Sequence, residues 1–460
     1  MREQIDASVH LLARAAAALW FRKVEVVGQE RLPRSGPLLL VASHFNGLLD
    51  PLLVVTTTGR VPRFLAKSSL WRNPATARLL DLAGAIPVHR AKDGTTTANV
   101  ESFAACYEAL RRGETVSLFP EGVTHDEPRL AELRTGAARI ALGARERGAR
   151  GVVVLPVGLV YTNKASPRSR ALVRFGRPID LDRHVAMFVD PGAPQGAANS
   201  DAVRRLTAEI RTRLAEAALD FDDATFALLA VRAAAVALRP DGAPRSWRPA
   251  MDDVDRTARA LLSAPRHLQG ELVEAGLPYA DALTLLGLDD ADVVAGDLTP
   301  AAVRWRVGRL AALAAVSPAA AIGVGVNGPA VALVLAAGRA PVSPAMRGTA
   351  RLLTGLVALP ATWTTLRRAL RRRGAHEPTL LALVAGPGCG LVALGLIERL
   401  RALRTARASY ERLRASTAVL PVLRAEHAAV VEAVERATAA APGRSGEPAG
   451  ARVGSRARRS

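Results

Sequence analysis

The stretch Leu38-Leu-Leu-Val-Ala-Ser-His44-Phe-Asn-Gly-Leu-Leu-Asp50-Pro51 decides how this chain is read. Its first half is an apolar run short enough for a buried strand, and its second half is polar and turn-prone. Asp50-Pro51 reads as a helix start, with Asp as N-cap and Pro at the first helical position. His44 then falls where the strand ends and Asp50 where the helix begins. A histidine and a carboxylate facing each other across such a turn make a base and its orienting partner. The plainer alternative, a loop histidine and a simple helix cap, fits the same fourteen residues.

Outward from that stretch, residues 24 to about 179 alternate between two patterns. Leu38–Ser43, Ala85–Arg90, Thr115–Pro120, Val152–Tyr161 and Ala171–Phe175 read as strands, while Pro74–Leu82, Thr96–Arg112 and Gly136–Arg147 read as helices. Such alternation predicts an α/β layer fold with a largely buried sheet. Ahead of it, Ile5, Val9, Leu12, Ala16 and Leu19 recur at helical spacing, so residues 1–23 read as an amphipathic helix. Two readings stand for that helix: it lies on a membrane with Trp20 at the interface, or it packs on the domain that comes after it.

After the Pro/Gly-rich loop at Pro191–Gly196, Asp201–Leu219 reads as a helix closing a domain over 24–220. Residues 221–303 continue as a helical extension. The region 304–400 is different in kind. Leu310–Ala337 is 28 residues without a charge, about 42 Å if wholly helical and enough to cross a bilayer core. Ser317-Pro318 and Asn327-Gly328-Pro329 interrupt it, so a re-entrant hairpin competes with a single span. Leu352–Leu366 is marginal at 15 uncharged residues, and Thr379–Ile397, at 19, is the better candidate. An Ala-rich soluble bundle is the remaining alternative. Residues 401–460 form a basic helical tail whose Gly/Arg/Ser-rich end reads as disordered.

The chain of 460 residues carries a net charge of +20, and residues 365–460, with 18 Arg and 7 Glu, hold eleven of those charges. Aromatic residues make up only 4%, which leaves few rings for stacking bases. Anionic lipid is therefore a better partner for the charge than nucleic acid. Arginine flanks the apolar segments on nearly every side, and the charge bias sets no clean topology. Cys106 and Cys389 are distant and form no CxxC, so neither a disulfide framework nor a zinc site is indicated, and no metal-ligand spacing occurs. No cleavable signal is evident, because Arg14 interrupts the one apolar N-terminal run.

Three further stretches give His44 company. Gly84-Ala-Ile-Pro-Val-His-Arg90 ends an apolar strand in arginine; Leu118-Phe-Pro-Glu-Gly-Val-Thr-His-Asp-Glu-Pro128 puts Glu121 and Gly122 directly after another; Val153-Val-Leu-Pro-Val-Gly158 is a third, holding Pro156. Ligands of open α/β sheets bind where strands end, so these stretches are candidates to meet at one crevice. Arg90, and then Arg134, are the first choices for holding a phosphate, because a planar guanidinium binds two oxygens at once. Lys67 and Arg139 are weaker candidates. His125 and Asp126 form a second acid–base pair on paper, read here as stabilising a tight loop.

Together these motifs resemble the glycerophospholipid acyltransferase family, the 1-acylglycerol-phosphate acyltransferase superfamily, over roughly residues 20–220. The five residues between His44 and Asp50, one more than the usual motif, are similar to the branch containing yeast-type glycerol-3-phosphate and dihydroxyacetone-phosphate acyltransferases. Phe-Pro-Glu-Gly-x-Thr-His-Asp and the subsequent Leu133-Arg-Thr-Gly-Ala-Ala-Arg139 are similar to it as well. The resemblance implies an acyltransferase-type α/β domain with a mostly buried mixed sheet, followed by a helical, membrane-associated C-terminal region. It implies His44 as general base, Asp50 orienting it, Arg90, Glu121 and Gly122 lining the acyl-acceptor site, and Pro156 shaping the donor side. Ser43, Phe45 and His89 depart from the family's usual residues.

No Gly-x-Ser-x-Gly elbow occurs, so the substrate's own hydroxyl is the nucleophile to expect. The expected reaction moves an acyl group from acyl-CoA or acyl-ACP, a co-substrate rather than a cofactor, to the hydroxyl of glycerol 3-phosphate. Lysophosphatidic acid is the competing acceptor. Backbone N–H groups at the start of the Asp50 helix are candidate oxyanion donors. The expected location is a membrane, with the catalytic domain on its cytoplasmic side. A non-catalytic lipid-binding or scaffold protein is the alternative of a different class, and nucleic-acid binding is a distant third.

Overall fold

A computed structural model of the chain describes residues 2–89, 98–125, 129–218, 223–294, 308, 318–339, 344–415 and 418–441. Eight strands form one mixed sheet: β1 (Phe21–Val27), β2 (Leu38–Ala42), β3 (Arg63–Lys67), β4 (Ile86–Val88), β5 (Thr115–Leu118), β6 (Val153–Tyr161), β7 (Ser169–Phe175) and β8 (Ile179–Asp180). Their order is β1-β7-β6-β2-β5-β3-β4, with β8 on β6. β6 runs antiparallel to β7 and β8; every other pairing is parallel.

The apolar run at 38–42 is accounted for by its central place. β2 is flanked by β5 and β6 in register, Leu38 opposite both Thr115 and Val153, and helices cover both faces. Leu39 and Val41 enter one core with Val116, Val154, Ile140, Leu206 and Leu214. Leu38, Leu40 and Ala42 enter the other with Trp20, Leu49, Leu53, Leu155 and Val157. A strand buried on both faces has no polar alternation to show.

The first of these cores is covered by α4 (Ala98–Arg111), α5 (Gly136–Glu146) and α7 (Ser200–Ala217), and the second by α1 (Arg2–Trp20) and α2 (Leu49–Thr58). α3 (Pro74–Ala83) comes after β3, and α6 (Leu181–Phe188) after β8. In α1 the packed reading of the N-terminal helix holds at its end: Ala16, Ala17 and Trp20 are buried, so Trp20 is a core residue and not an interfacial anchor. Leu11 and Leu12 remain exposed at 71% and 70%, off the face that the helix buries.

Contacts divide the chain into two compact units, residues 1–222 with 325–383, and residues 223–324 with 384–460. The second unit gathers α8 (Ala224–Ala237), α9 (Met251–Ser263), α10 (Arg266–Leu286), α11 (Asp290–Val294) and the last helix, Val419–Ala440, around Ala230, Leu261, Leu272, Val293, Leu423, Val430 and Val434. Asp290 is the polar centre of that bundle, meeting Arg239 Nε (3.1 Å), the Tyr279 hydroxyl (2.8 Å) and His427 Nδ1 (2.8 Å).

Among the described residues, two helices are long and apolar enough to cross a membrane. These are α12 (Pro318–Ala337) and the continuous run Pro378–Arg414, with mean hydropathies of 1.9 and 2.2. Only 22% of the most apolar stretch of each is buried, so most of that apolar surface is uncovered. α12 runs unbroken through Asn327-Gly328-Pro329, contrary to the expected interruption. Asn327 Oδ1 accepts a hydrogen bond from Trp363 Nε1 (2.8 Å), so this side chain is drawn to a neighbouring helix where a turn would use it on its own backbone. That neighbour is α13 (Pro344–Arg372), which contains the marginal segment Leu352–Leu366.

Candidate active site

The carboxyl ends of β2, β5 and β6 lie side by side, and the segments leaving these three strands build the site. Ser43 anchors the exit from β2: its N–H donates to Val157 O (3.1 Å), and its Oγ accepts from Leu159 N–H (3.0 Å). His44 comes next, stacked on the Phe119 ring beyond β5 with centroids 4.1 Å apart and planes 15° apart. Its Nδ1 stands 2.9 Å from Asp50 Oδ2, with the Asp50 side chain at 0% exposure and His44 at 13%. An ionised carboxylate only accepts, so facing it Nδ1 is the donor, and in the neutral imidazole Nε2 then keeps its lone pair. The histidine and carboxylate that the 38–51 stretch sets opposite each other are in contact.

Asp50 is not the helix N-cap that the Asp-Pro pair suggests. α2 begins at Leu49 with Leu48 as its N-cap residue, and Asn46 serves the helix entry, its Oδ1 accepting from Leu48 N–H (3.1 Å) and Leu49 N–H (3.0 Å). Asp50, one residue into the helix, reaches back instead. Its Oδ2 also accepts the N–H groups of Phe45 and Asn46, both at 2.7 Å, and its Oδ1 accepts from the Tyr161 hydroxyl (2.6 Å). This is the reciprocal logic of a capping box, with the returning carboxylate turning its outer face to histidine. The longer spacing between His44 and Asp50 is what leaves room for Asn46.

The N–H groups of His44, Phe45, Asn46, Leu48 and Leu49 are committed inside the protein, to Glu121 Oε1, Asp50 and Asn46, which leaves these five engaged among the expected oxyanion donors at the start of the Asp50 helix.

Glu121 is 2% exposed and ties three segments together. Oε1 accepts from the His44 N–H (2.8 Å), while Oε2 accepts from Ala131 N–H (2.8 Å) and pairs closely with His125 Nε2. Gly122 has φ +68, and a Cβ there would meet Arg134 Nε at 2.7 Å, so the exposed Arg134 side chain lies across this glycine. Pro156 is buried in β6 opposite Val41 of β2. It sits where β6 changes partner from β8 to β7, the one place in a central strand where a missing N–H breaks no ladder bond. Arg90 and Asp126 lie outside the described residues. Arg139 donates to Ala197 O and Thr135 Oγ1, a bracing role for its loop.

Reading the sequence missed Tyr161, Phe119 and Lys164. Burial, and then the Asp50 charge beside it, hold the Tyr161 hydroxyl well above the ordinary tyrosine value, so it remains a donor. Lys164 Nζ donates to the carbonyls of Phe45 (2.9 Å) and His125 (2.8 Å), joining the two histidine loops. Tyr161 ends a legible strand, but nothing local tells which strand-end tyrosine reaches a carboxylate. Cys106 is no rival nucleophile: burial pushes its thiol up to about 12.

An imidazole held by a buried carboxylate is an arrangement that can take a proton from a hydroxyl nucleophile. Residues 23–160 match the family model described as Acyltransferase. The chain is 27% identical over 161 residues to a chloroplast 1-acyl-sn-glycerol-3-phosphate acyltransferase of Arabidopsis thaliana, covering 34% of this chain and 42% of that protein. It is 37% identical over 94 residues to glycerol-3-phosphate O-acyltransferase 2 of Saccharomyces cerevisiae, covering 20% of this chain and 13% of the yeast protein. With the lyso-ornithine lipid O-acyltransferase of Rhizobium meliloti it shares 34% identity over 167 residues, 36% of this chain and 53% of that one. The similarity therefore spans about half or less of each relative.

Proposed function

We propose that the chain is a membrane-associated O-acyltransferase. It takes a fatty acyl group from acyl-CoA or acyl-ACP and places it on the hydroxyl of glycerol 3-phosphate. The observation that carries this reading is the 2.9 Å contact between His44 Nδ1 and the fully buried Asp50 carboxylate. The acceptor hydroxyl gives its proton to His44 Nε2 as its oxygen attacks the thioester carbonyl. Collapse of the tetrahedral intermediate breaks the C–S bond, and the imidazolium returns the proton to the departing thiolate. Asp50 fixes the tautomer and stabilises the imidazolium between those steps. Arg90 and Arg134 are proposed to hold the acceptor phosphate, Glu121 and Gly122 to shape its pocket, and Pro156 to lie on the donor side. The domain is proposed to face the cytoplasm, with anionic lipid against the arginines.

Lysophosphatidic acid is the second reading for the acceptor, favoured by the similarity to the chloroplast protein. Radiolabelled acyl transfer to each acceptor in parallel separates the two. His44→Ala is expected to abolish turnover without loss of folding, and Asp50→Asn to lower kcat by on the order of 10⁴. Full turnover by His44→Ala overturns the assignment and leaves a lipid-binding scaffold.

A further inference from the structure

The start of α13 packs on the catalytic turn, although about three hundred residues of sequence separate them. Thr349 is 6% exposed, and its Oγ1 donates to Asn46 Oδ1 at 2.7 Å. Asn46 is the residue whose Oδ1 accepts the Leu48 and Leu49 N–H groups at the entry to α2 and whose N–H shares Asp50 Oδ2 with His44. Beside it, Gly348 lies so close to Lys164 O that a Cβ would overlap that oxygen, and the same Cβ would stand 3.1 Å from Asn46 Nδ2. Arg351 donates to Ala165 O, and Leu352 is buried in the core that contains Leu49 and Leu53. Two sides of the site, the Asn46 turn and the segment after β6, are thus braced by two turns of one distant helix.

We infer that Thr349 is a positioning residue for acyl transfer, holding Asn46 and through it the carboxylate that orients His44. The inference rests on the proposed reading of the site and deepens it. Asn46 stands between two demands: move it, and Asp50 Oδ2 loses one of the three groups that set its place. Catalytic geometry is intolerant of such shifts, and a misplacement of about 1 Å can cost about 10²-fold in rate. α13 also pairs with α12, through Trp363 on Asn327 and Gly355 against Val334, so the brace is continuous with a helix apolar enough for a membrane.

The test uses the full chain in phospholipid vesicles, with acyl-CoA and either glycerol 3-phosphate or lysophosphatidic acid. Thr349→Val keeps the shape and removes the donor; kcat is expected to fall about tenfold with KM unchanged. Thr349→Ser restores the hydroxyl and is expected to return kcat to within about twofold, while Gly348→Val lifts the helix and lowers kcat further. Amide hydrogen exchange at Phe45, Asn46, Leu48 and Leu49 is expected to quicken in Thr349→Val and return in Thr349→Ser. Wild-type kcat in Thr349→Val overturns the inference, as does a change in KM alone or a serine variant that fails to recover. If the wild type transfers no acyl group to either acceptor, the reading of the site falls. The exchange measurement then decides the brace by itself, and unchanged protection in Thr349→Val overturns it.

Discussion

Asp50 has more donors than a histidine partner requires: an imidazole, two backbone N–H groups and the phenol of Tyr161 converge on it at 0% exposure. Tyr161 adds the only side-chain contact to Oδ1 among the described residues. A hydrogen bond to a charged acceptor is worth about 1.5–3 kcal/mol, so Tyr161→Phe is expected to lower kcat by roughly ten- to a hundredfold. Without the phenol the carboxylate holds imidazolium more strongly, so the acid limb of the pH–rate profile moves up; a limb that stays in place removes Tyr161 from the site. The phenol also gives an alkaline signature. Its folded value is raised above 10.0 by burial and by Asp50. The folded chain therefore keeps a proton that the unfolded chain loses, and this contribution to stability is complete below pH ~10 and is lost as pH rises beyond it. Denaturant titrations at pH 9 and 11 are expected to show a smaller loss in Tyr161→Phe than in the wild type.

At the level of elements, the site depends on strands ending at the right depth, and close backbone approaches set that depth. Gly158 in β6 lies against the carbonyl of Ala217 at the end of α7, where a Cβ would overlap backbone that has no rotamer to yield. Gly158→Ala is expected to destabilise the fold by about 1–3 kcal/mol, read as a lower denaturation midpoint, with any loss of activity tracking the loss of folded protein. In the helical bundle Asp290 offers the converse case. Its charge serves Arg239, Tyr279 and His427 at once. Asp290→Asn leaves a buried guanidinium without its counter-charge and is expected to cost about 3–5 kcal/mol. An unchanged unfolding midpoint shows that water replaces the pairing.

At the level of the whole molecule, two apolar helices, each with most of its surface uncovered, sit in a chain whose excess charge is arginine. The protein is expected to remain in the membrane pellet through high salt and alkaline carbonate and to leave only with detergent. Release by salt alone indicates binding through the arginines without insertion. The compact units do not run in chain order: residues 325–383 group with the α/β domain, and the basic tail's helix Val419–Ala440 packs with helices of the 223–294 segment. Apolar periodicity in either segment marks a buried face; which segment it faces depends on shape and not on pattern.

Local chemistry carried the strand-to-turn reading of 38–51 and of the flanking strands β5 and β6, and it offered the pairing of His44 with Asp50 as one of two open readings, because each rests on residues a few positions apart. Alternating burial, short apolar runs and turn residues act over that range. Tertiary structure alone decided that Tyr161 reaches the carboxylate from 111 residues away, and that Thr349 reaches Asn46 from 303. A hydroxyl carries no mark of its acceptor in the residues beside it. Only the packing of strands and helices brings the donor within 3 Å and makes one arrangement lower in free energy than the others.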